Sequence, residues 1–264
     1  MIIRYISLLI EHGTIPEEER TRFHINVNFT INYLSRAIRR KRIATDNSYN
    51  FIGVRLCREK KADKASNLFK SIIVYEQLTD ADWNDYLHSK SVEQRTEFIL
   101  KWLETGYYRA AQIKSIPVDT LLSVHEEFRK NDYRNEWLFK KKTIIEFGIS
   151  VYLKCYLTFF DFRLELEAIN KQSGTLVCKG TLFQSPPLEE WYNHLLHEIR
   201  ITESILEILD SSGFANITVD ISRLASGEFN YQYHDNERYK GEVWNKGWKK
   251  EIIENQRMID KMTW

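Results

Sequence analysis

Phe23-His24-Ile25-Asn26-Val27-Asn28-Phe29-Thr30-Ile31-Asn32-Tyr33 is the stretch on which the fold assignment turns. Phe23, Ile25, Val27, Phe29, Ile31 and Tyr33 alternate strictly with polar residues. A period of two puts every apolar side chain on one side of an extended chain, so the pattern predicts a half-buried β-strand. Residues 49–58, with Ile52, Val54 and Leu56 inward, predict a second strand. Residues 68–78, with Ile72, Ile73 and Val74, predict a third strand, with a helix as the alternative. Upstream, Met1 to Ile10 has one positive charge, a short apolar run and no small-residue cleavage site, which reads as an opening strand and not a signal peptide.

The next segment changes period. Thr79-Asp80 caps a short helix carrying Trp83 and Leu87, and Ser91 followed by Gln94 opens another that is expected to stop at Gly106. Pro117 starts a third helix with the stripe Val118, Leu121, Leu122, His125 and Phe128. Alternation returns over 145–153, 160–166 and 175–183, with a turn at 170–174, and implies antiparallel strands with one wet face. Pro186-Pro187 leads into an expected long helix to about residue 210. Strands follow at 217–221 and 231–234, and a closing helix at 248–262. The fold class is therefore α+β: largely antiparallel sheets with helices packed on one face, the β-then-α order occurring twice. Two halves, 1–135 and 136–264, fit that order, and one continuous domain fits nearly as well.

Composition narrows function mostly by exclusion. The 264 residues carry 43% apolar and 28% charged side chains with 4 Pro and 10 Gly, the balance of a folded domain and not of a disordered chain. Lys and Arg number 38 against 37 Asp and Glu. A nucleic-acid partner is disfavoured by that balance, because displacing counterions from phosphates calls for a net basic face. Cys57, Cys155 and Cys178 form no CxxC pair, so a zinc ribbon or redox motif is absent and buried thiols are expected. No apolar run approaches a membrane span, and a cytoplasmic location is expected. Phosphate-binding glycine loops and nucleophile-elbow motifs are missing as well. No cofactor is expected.

Three groups remain as candidates. Glu190, His194 and His197 have the spacing of a metal-binding face on the expected 187–210 helix, though Leu188, Tyr192, Leu195 and Ile199 set that helix's apolar stripe on the opposite side. A metal site there is the weaker reading, so no metal is expected. His125 lies on the inward stripe of its helix and is a candidate base for a hydrolytic enzyme, without a nucleophile that the sequence names. The run Ser35-Arg36-Ala37-Ile38-Arg39-Arg40-Lys41-Arg42 is the densest basic segment, with Lys140, Lys141 and Lys142 as a second cluster. It reads as a solvated connection, as a patch for an acidic protein, or as a phosphate contact for RNA or DNA. Aromatic residues make up 13% of the chain, and Trp244 and Trp248 are of the type enriched at interface centres. The expectation is a non-enzymatic protein-binding protein, most concretely a bacterial immunity protein that covers a toxin's active site. Its contact candidates are Arg36, Arg39, Arg40, Arg42, Trp244 and Trp248.

Overall fold

The computed structural model describes residues 1–234, apart from the side chains at positions 190, 191 and 194. Chain contacts divide it into a compact unit Met1–Asn135 and a second that begins at Glu136. The expected closing helix at 248–262 lies outside the described residues. The class is α+β.

The first unit runs β1 (Tyr5–Ile10), α1 (Glu17–Lys41), β2 (Phe51–Cys57), β3 (Lys64–Ser66), β4 (Ser71–Gln77), α2 (Asp80–Leu87), α3 (Val92–Ala111) and α4 (Val118–Lys130). Its sheet has the order β1-β2-β4-β3. Strand β2 lies parallel to both β1 and β4, and only the short β3 is antiparallel. The expectation of largely antiparallel sheets holds over the three sheets together; β1, β2 and β4 are the parallel exception, with α1 as the crossover that parallel neighbours require.

The largest correction concerns residues 23–33, which are not a strand. They form the middle of α1. Residues two apart on a helix are turned by about 200° from one another, so alternation loads two opposite sides of it. That pattern is stable only where both sides are covered, and from 23 to 38 no residue of α1 is exposed. Phe23 packs edge-on to Trp83, Tyr86 and Phe98 at 5.8, 5.1 and 6.3 Å. On other sides Tyr33 stacks on Phe128 at 4.0 Å, and His24 Nε2 accepts the Ile10 N–H at 3.1 Å. Even Asn26, Thr30, Asn32 and Ser35 are buried. Glu17–Glu19 in the first turn and Arg39–Lys41 in the last complement the helix dipole and fix its direction.

Several expectations hold. Strands β2 and β4 sit where the apolar runs fall. Thr79 caps α2 reciprocally with Asp82: the Asp82 N–H donates to Thr79 Oγ1 at 3.1 Å and the Thr79 N–H to Asp82 Oδ2 at 3.3 Å. Replacing Thr79 with Ala is expected to lower stability by about 1 kcal/mol, measured by urea unfolding, since orphaned first-turn N–H groups must then turn to water. Ser91 caps α3. That helix, however, does not stop at Gly106 but continues to Ala111, because Gly106 is where α3 approaches β2. A methyl built there would overlap Val54 Cγ2 and lie 3.0 Å from Cγ1.

The second unit contains β5 (Asn135–Ile144) from its second residue on, β6 (Ile149–Leu157), β7 (Phe162–Asn170) and β8 (Leu176–Ser185), a sheet of order β5-β6-β7-β8 in which β6, β7 and β8 pair antiparallel. Val151, Leu153, Cys155, Leu164 and Leu166 form its buried face. On the other face Lys154 and Lys179 pair with Glu167, and Lys179 also reaches Glu165. Next come α5 (Glu189–Tyr192), β9 (Glu198–Thr202), β10 (Ile205–Leu209), β11 (Ala215–Asp220), α6 (Ile221–Ala225) and β12 (Tyr231–Tyr233). Strands β9 to β12 form an antiparallel sheet of order β12-β11-β10-β9. The expected 187–210 helix is therefore wrong: past one 3-10 turn at Asn193–Leu195 the chain is a hairpin. Glu198, Arg200 and Thr202 alternate with Ile199 and Ile201, and Arg200 pairs across the hairpin with Glu207. β-Branched residues in that alternation favour the pleat over the helix.

Candidate functional site

Parallel pairing in the first unit brings residues far apart in sequence to one end. Parallel strands all begin at the same edge, and a crossover helix returns to that edge at its C-terminus. The backbone bonds state it directly. Ile3 N–H donates to Ile43 O at 2.9 Å, Arg4 N–H to Asn50 O at 2.8 Å, and Asn50 N–H to Lys70 O at 2.8 Å. Arg4 and Lys70, at the starts of β1 and β4, thereby join Arg39, Arg40 and Arg42 from the end of α1. All five are exposed. Among the described residues none of the five makes an ion pair within 4.0 Å. Arg39 lies 5.3 Å above the ring of Tyr5, which is itself 54% exposed. Arg42 and Lys70 both adopt left-handed backbone, φ 50 and φ 49, a conformation that side-chain-bearing residues visit at some energetic cost. Arg42 does so as the C-cap of α1.

The other candidate residues are placed differently. Arg36 is drawn into the structure, its Nε donating to Asn32 Oδ1 at 3.1 Å and its Nη2 to Asn135 Oδ1. Lys41 pairs with Glu127 at 2.6 Å. The basic run is thus not a loop between two strands but a helix end that shows only part of its charge. Trp244 and Trp248 lie outside the described residues. Lys140, Lys141 and Lys142 are exposed on β5. Sequence reasoning missed Arg4, Tyr5 and Lys70, for which no local signal exists, since only the parallel register makes them neighbours of residues 39–42.

His125 is 1% exposed. Its Nδ1 stands 3.1 Å from Glu104 Oε1, while Nε2 is buried with no hydrogen-bond partner, and the Tyr107 ring is 5.5 Å away. Hydrogen bonding from His125, with Arg129 behind, holds the Glu104 carboxyl below its ordinary range against the opposing effect of burial. Arg129 also binds Glu97 and Glu126, and Tyr133 Oη donates to Glu97 at 2.6 Å. A pocket of about 370 Å³ lined by Ser91, Val92, Glu93, Arg129, Asp132 and Tyr133 opens beside this network. Arg129 faces it with its charge already matched by three carboxylates. A base must reach its substrate's proton, and a histidine this deep reaches none without opening the α3–α4 packing.

Glu190, His194 and His197 do not share a helix face, because their helix does not exist beyond residue 195. His197 is exposed and its N–H donates to Leu209 O at 3.0 Å, ahead of β9. Among the described residues no three His, Cys, Asp or Glu gather as metal ligands would. Cys57, Cys155 and Cys178 are buried and not joined in disulfides, and burial raises the thiol pKa of Cys57 and Cys178. Among the described residues no helix is long and apolar enough to cross a membrane. No protein-family model matches the chain, and no curated protein or solved structure does either.

Proposed function

We propose that the chain is a non-enzymatic protein-binding protein whose basic pole, Arg4, Arg39, Arg40, Arg42 and Lys70, covers an acidic surface of a partner protein. In its most concrete form it is a bacterial immunity protein that neutralises a toxin by sitting over its active site. The observation that carries the reading is the convergence of five exposed cations from three separate segments on one edge, free of ion pairs among the described residues. Such a patch steers an acidic partner and fixes its orientation. Arginine, with its planar fork of donors, matches surface carboxylates two bonds at a time. A protein surface suits the pole better than a nucleic-acid strand, because α1 ends in Arg39–Lys41 but begins with Glu17, Glu18 and Glu19, so the charge is local and makes no track.

Co-purification identifies the partner, and assays of the partner's own activity in the complex test the inhibitory form. Reversing three charges together, Arg39→Glu, Arg40→Glu and Arg42→Glu, is expected to weaken the isolated complex by about 100-fold, mainly through slower association, with the loss shrinking in high salt. Affinity indifferent to the triple reversal would remove the reading, as would a pure chain that turns over a substrate.

A further inference from the structure

Next to the pole stands an apolar feature that the charge argument does not use. The connection from β3 to β4 presents Leu68 at 83% and Phe69 at 75% exposure, the two most exposed large apolar side chains among the described residues except for Ile145 at 76%. Their turn is built, not loose: the Phe69 N–H donates to Ser66 Oγ at 3.2 Å, and Ser66 pairs with Ser71 across the hairpin. Lys70, the next residue, is the pole's outermost cation and its carbonyl bonds Asn50. One continuous row therefore runs Leu68, Phe69, Lys70, Asn50, Arg4, with Arg42 beside Ile3 and Ile43. Neighbouring strands are about 4.8 Å apart, so the row is on the order of 20 Å long, the reach of about six extended residues. Adjacent large apolar side chains held in solvent beside unpaired arginines have the make-up of an interface anchor with a charged rim.

We infer that the pole and the Leu68–Phe69 tip form one docking strip for an acidic amphipathic segment of a partner protein, in which carboxylates meet Lys70, Arg4, Arg39, Arg40 and Arg42 while a large apolar side chain packs on Leu68 and Phe69. The inference rests on the protein-binding reading and specifies its ligand. Charge complementarity chooses the occupant: a second copy of the same edge would set arginine against arginine, and a purely apolar partner would leave the cations facing nothing.

The test uses the full chain and three labelled probes of equal length, followed by fluorescence anisotropy: a peptide of Asp and Glu interrupted by Leu and Trp, an oligoglutamate, and an oligothymidylate. The mixed peptide is expected to bind at least about tenfold more tightly than oligoglutamate, the effect of burying one large apolar side chain. The double variant Leu68→Ser, Phe69→Ser removes that margin and leaves oligoglutamate binding within about twofold. These positions are exposed, and an unchanged thermal melt verifies the fold. The triple reversal Arg39→Glu, Arg40→Glu, Arg42→Glu weakens both peptides by about 100-fold. Equal binding of the two peptides, or a margin that survives the serine variant, overturns the docking strip and leaves the basic pole standing. If neither peptide binds, both readings fall. Oligothymidylate binding more tightly than the mixed peptide and losing affinity in the serine variant assigns the strip to a nucleic acid and overturns the inference.

Discussion

Gly106→Val is expected to destabilise the chain by about 3 kcal/mol and to lower its melting temperature by about 10 °C. Gly106 sits mid-helix in α3, where glycine is the poorer helix former by about 1 kcal/mol relative to alanine. What offsets that is contact. A Cβ at 106 would overlap Val54 Cγ2, with Val54 Cγ1 and Cβ at 3.0 and 3.2 Å. Val54 is the central residue of β2, fully buried, and Leu103 and Tyr107 on either side of Gly106 are buried with it. Neither side can give way without shifting the sheet or the helix. Overpacking a core by added methyl groups costs about 1–3 kcal/mol, and valine brings three carbons. Gly106→Ala should cost about 1 kcal/mol net, its clash partly offset by better helix propensity. The decisive measurement is the cycle with Val54→Ala. Removing the opposing methyls should make the double variant Gly106→Ala, Val54→Ala more stable than the sum of the two single losses by at least about 1 kcal/mol. Strict additivity would mean that Gly106 serves something other than close approach.

Acidification should destabilise the chain in a window set by His24. Burial, reinforced by the positive charges of Arg20 and Arg55, lowers its pKa from 6.5 to about 4. Its Nε2 accepts the Ile10 N–H, a bond that only the neutral ring can make. The folded state thus resists a proton that the unfolded chain takes up near pH 6.5. Between pH 6.5 and about 4 the unfolded state binds more protons, so stability rises with pH there. The contribution is complete above 6.5 and is lost progressively as pH falls towards 4. The full shift corresponds to about 3 kcal/mol; for a partly exposed ring, screened by solvent, about 2 kcal/mol is expected. Urea midpoints at pH 7, 5.5 and 4.5 would read it, with His24→Gln as the control. Glutamine keeps an acceptor for Ile10 without a titrating group, so the variant should hold its stability from pH 7 to about 5. Parallel losses in the two proteins would refute the assignment. The carboxylates held low by their partners, Glu97, Glu104, Glu167 and Glu207, act in a different window: they contribute above their unfolded pKa and fail only as pH drops below it.

Two misreadings have one cause. Residues 23–33 alternate as a strand does, yet they are a helix, because period two and helical burial on two sides give the same sequence. Residues 187–210 carry apolar positions at helical spacing, yet from 198 on they form a hairpin, because Ile199 and Ile201 in β9 and Leu206 and Ile208 in β10 also alternate and face one another across it. Periodicity reports which side chains are covered, not which backbone does the covering. Signals of another kind were available for α1: no Gly or Pro between 17 and 41, an acidic start and a basic end. Local chemistry was the surer guide. Thr79 and Ser91 announced the caps of α2 and α3, and Pro117 stands at the start of α4. Of the candidate surface, Arg39, Arg40 and Arg42 were legible as the densest basic run, while Arg36 in that same run turned inward to Asn32 and Asn135.

By itself the sequence determined what is set within a few residues: the caps, the turn after β7, the α+β mixture, the buried thiols and the absence of the common catalytic signatures. Tertiary structure alone decided that β1, β2 and β4 run parallel, and with it everything that depends on where their ends meet. Arg4, Arg42 and Lys70 belong to one surface because three strands begin at a single edge and a helix returns to it. Backbone hydrogen bonds between segments some 20 to 45 residues apart fix that edge, and pairing at such separations leaves no trace in local composition.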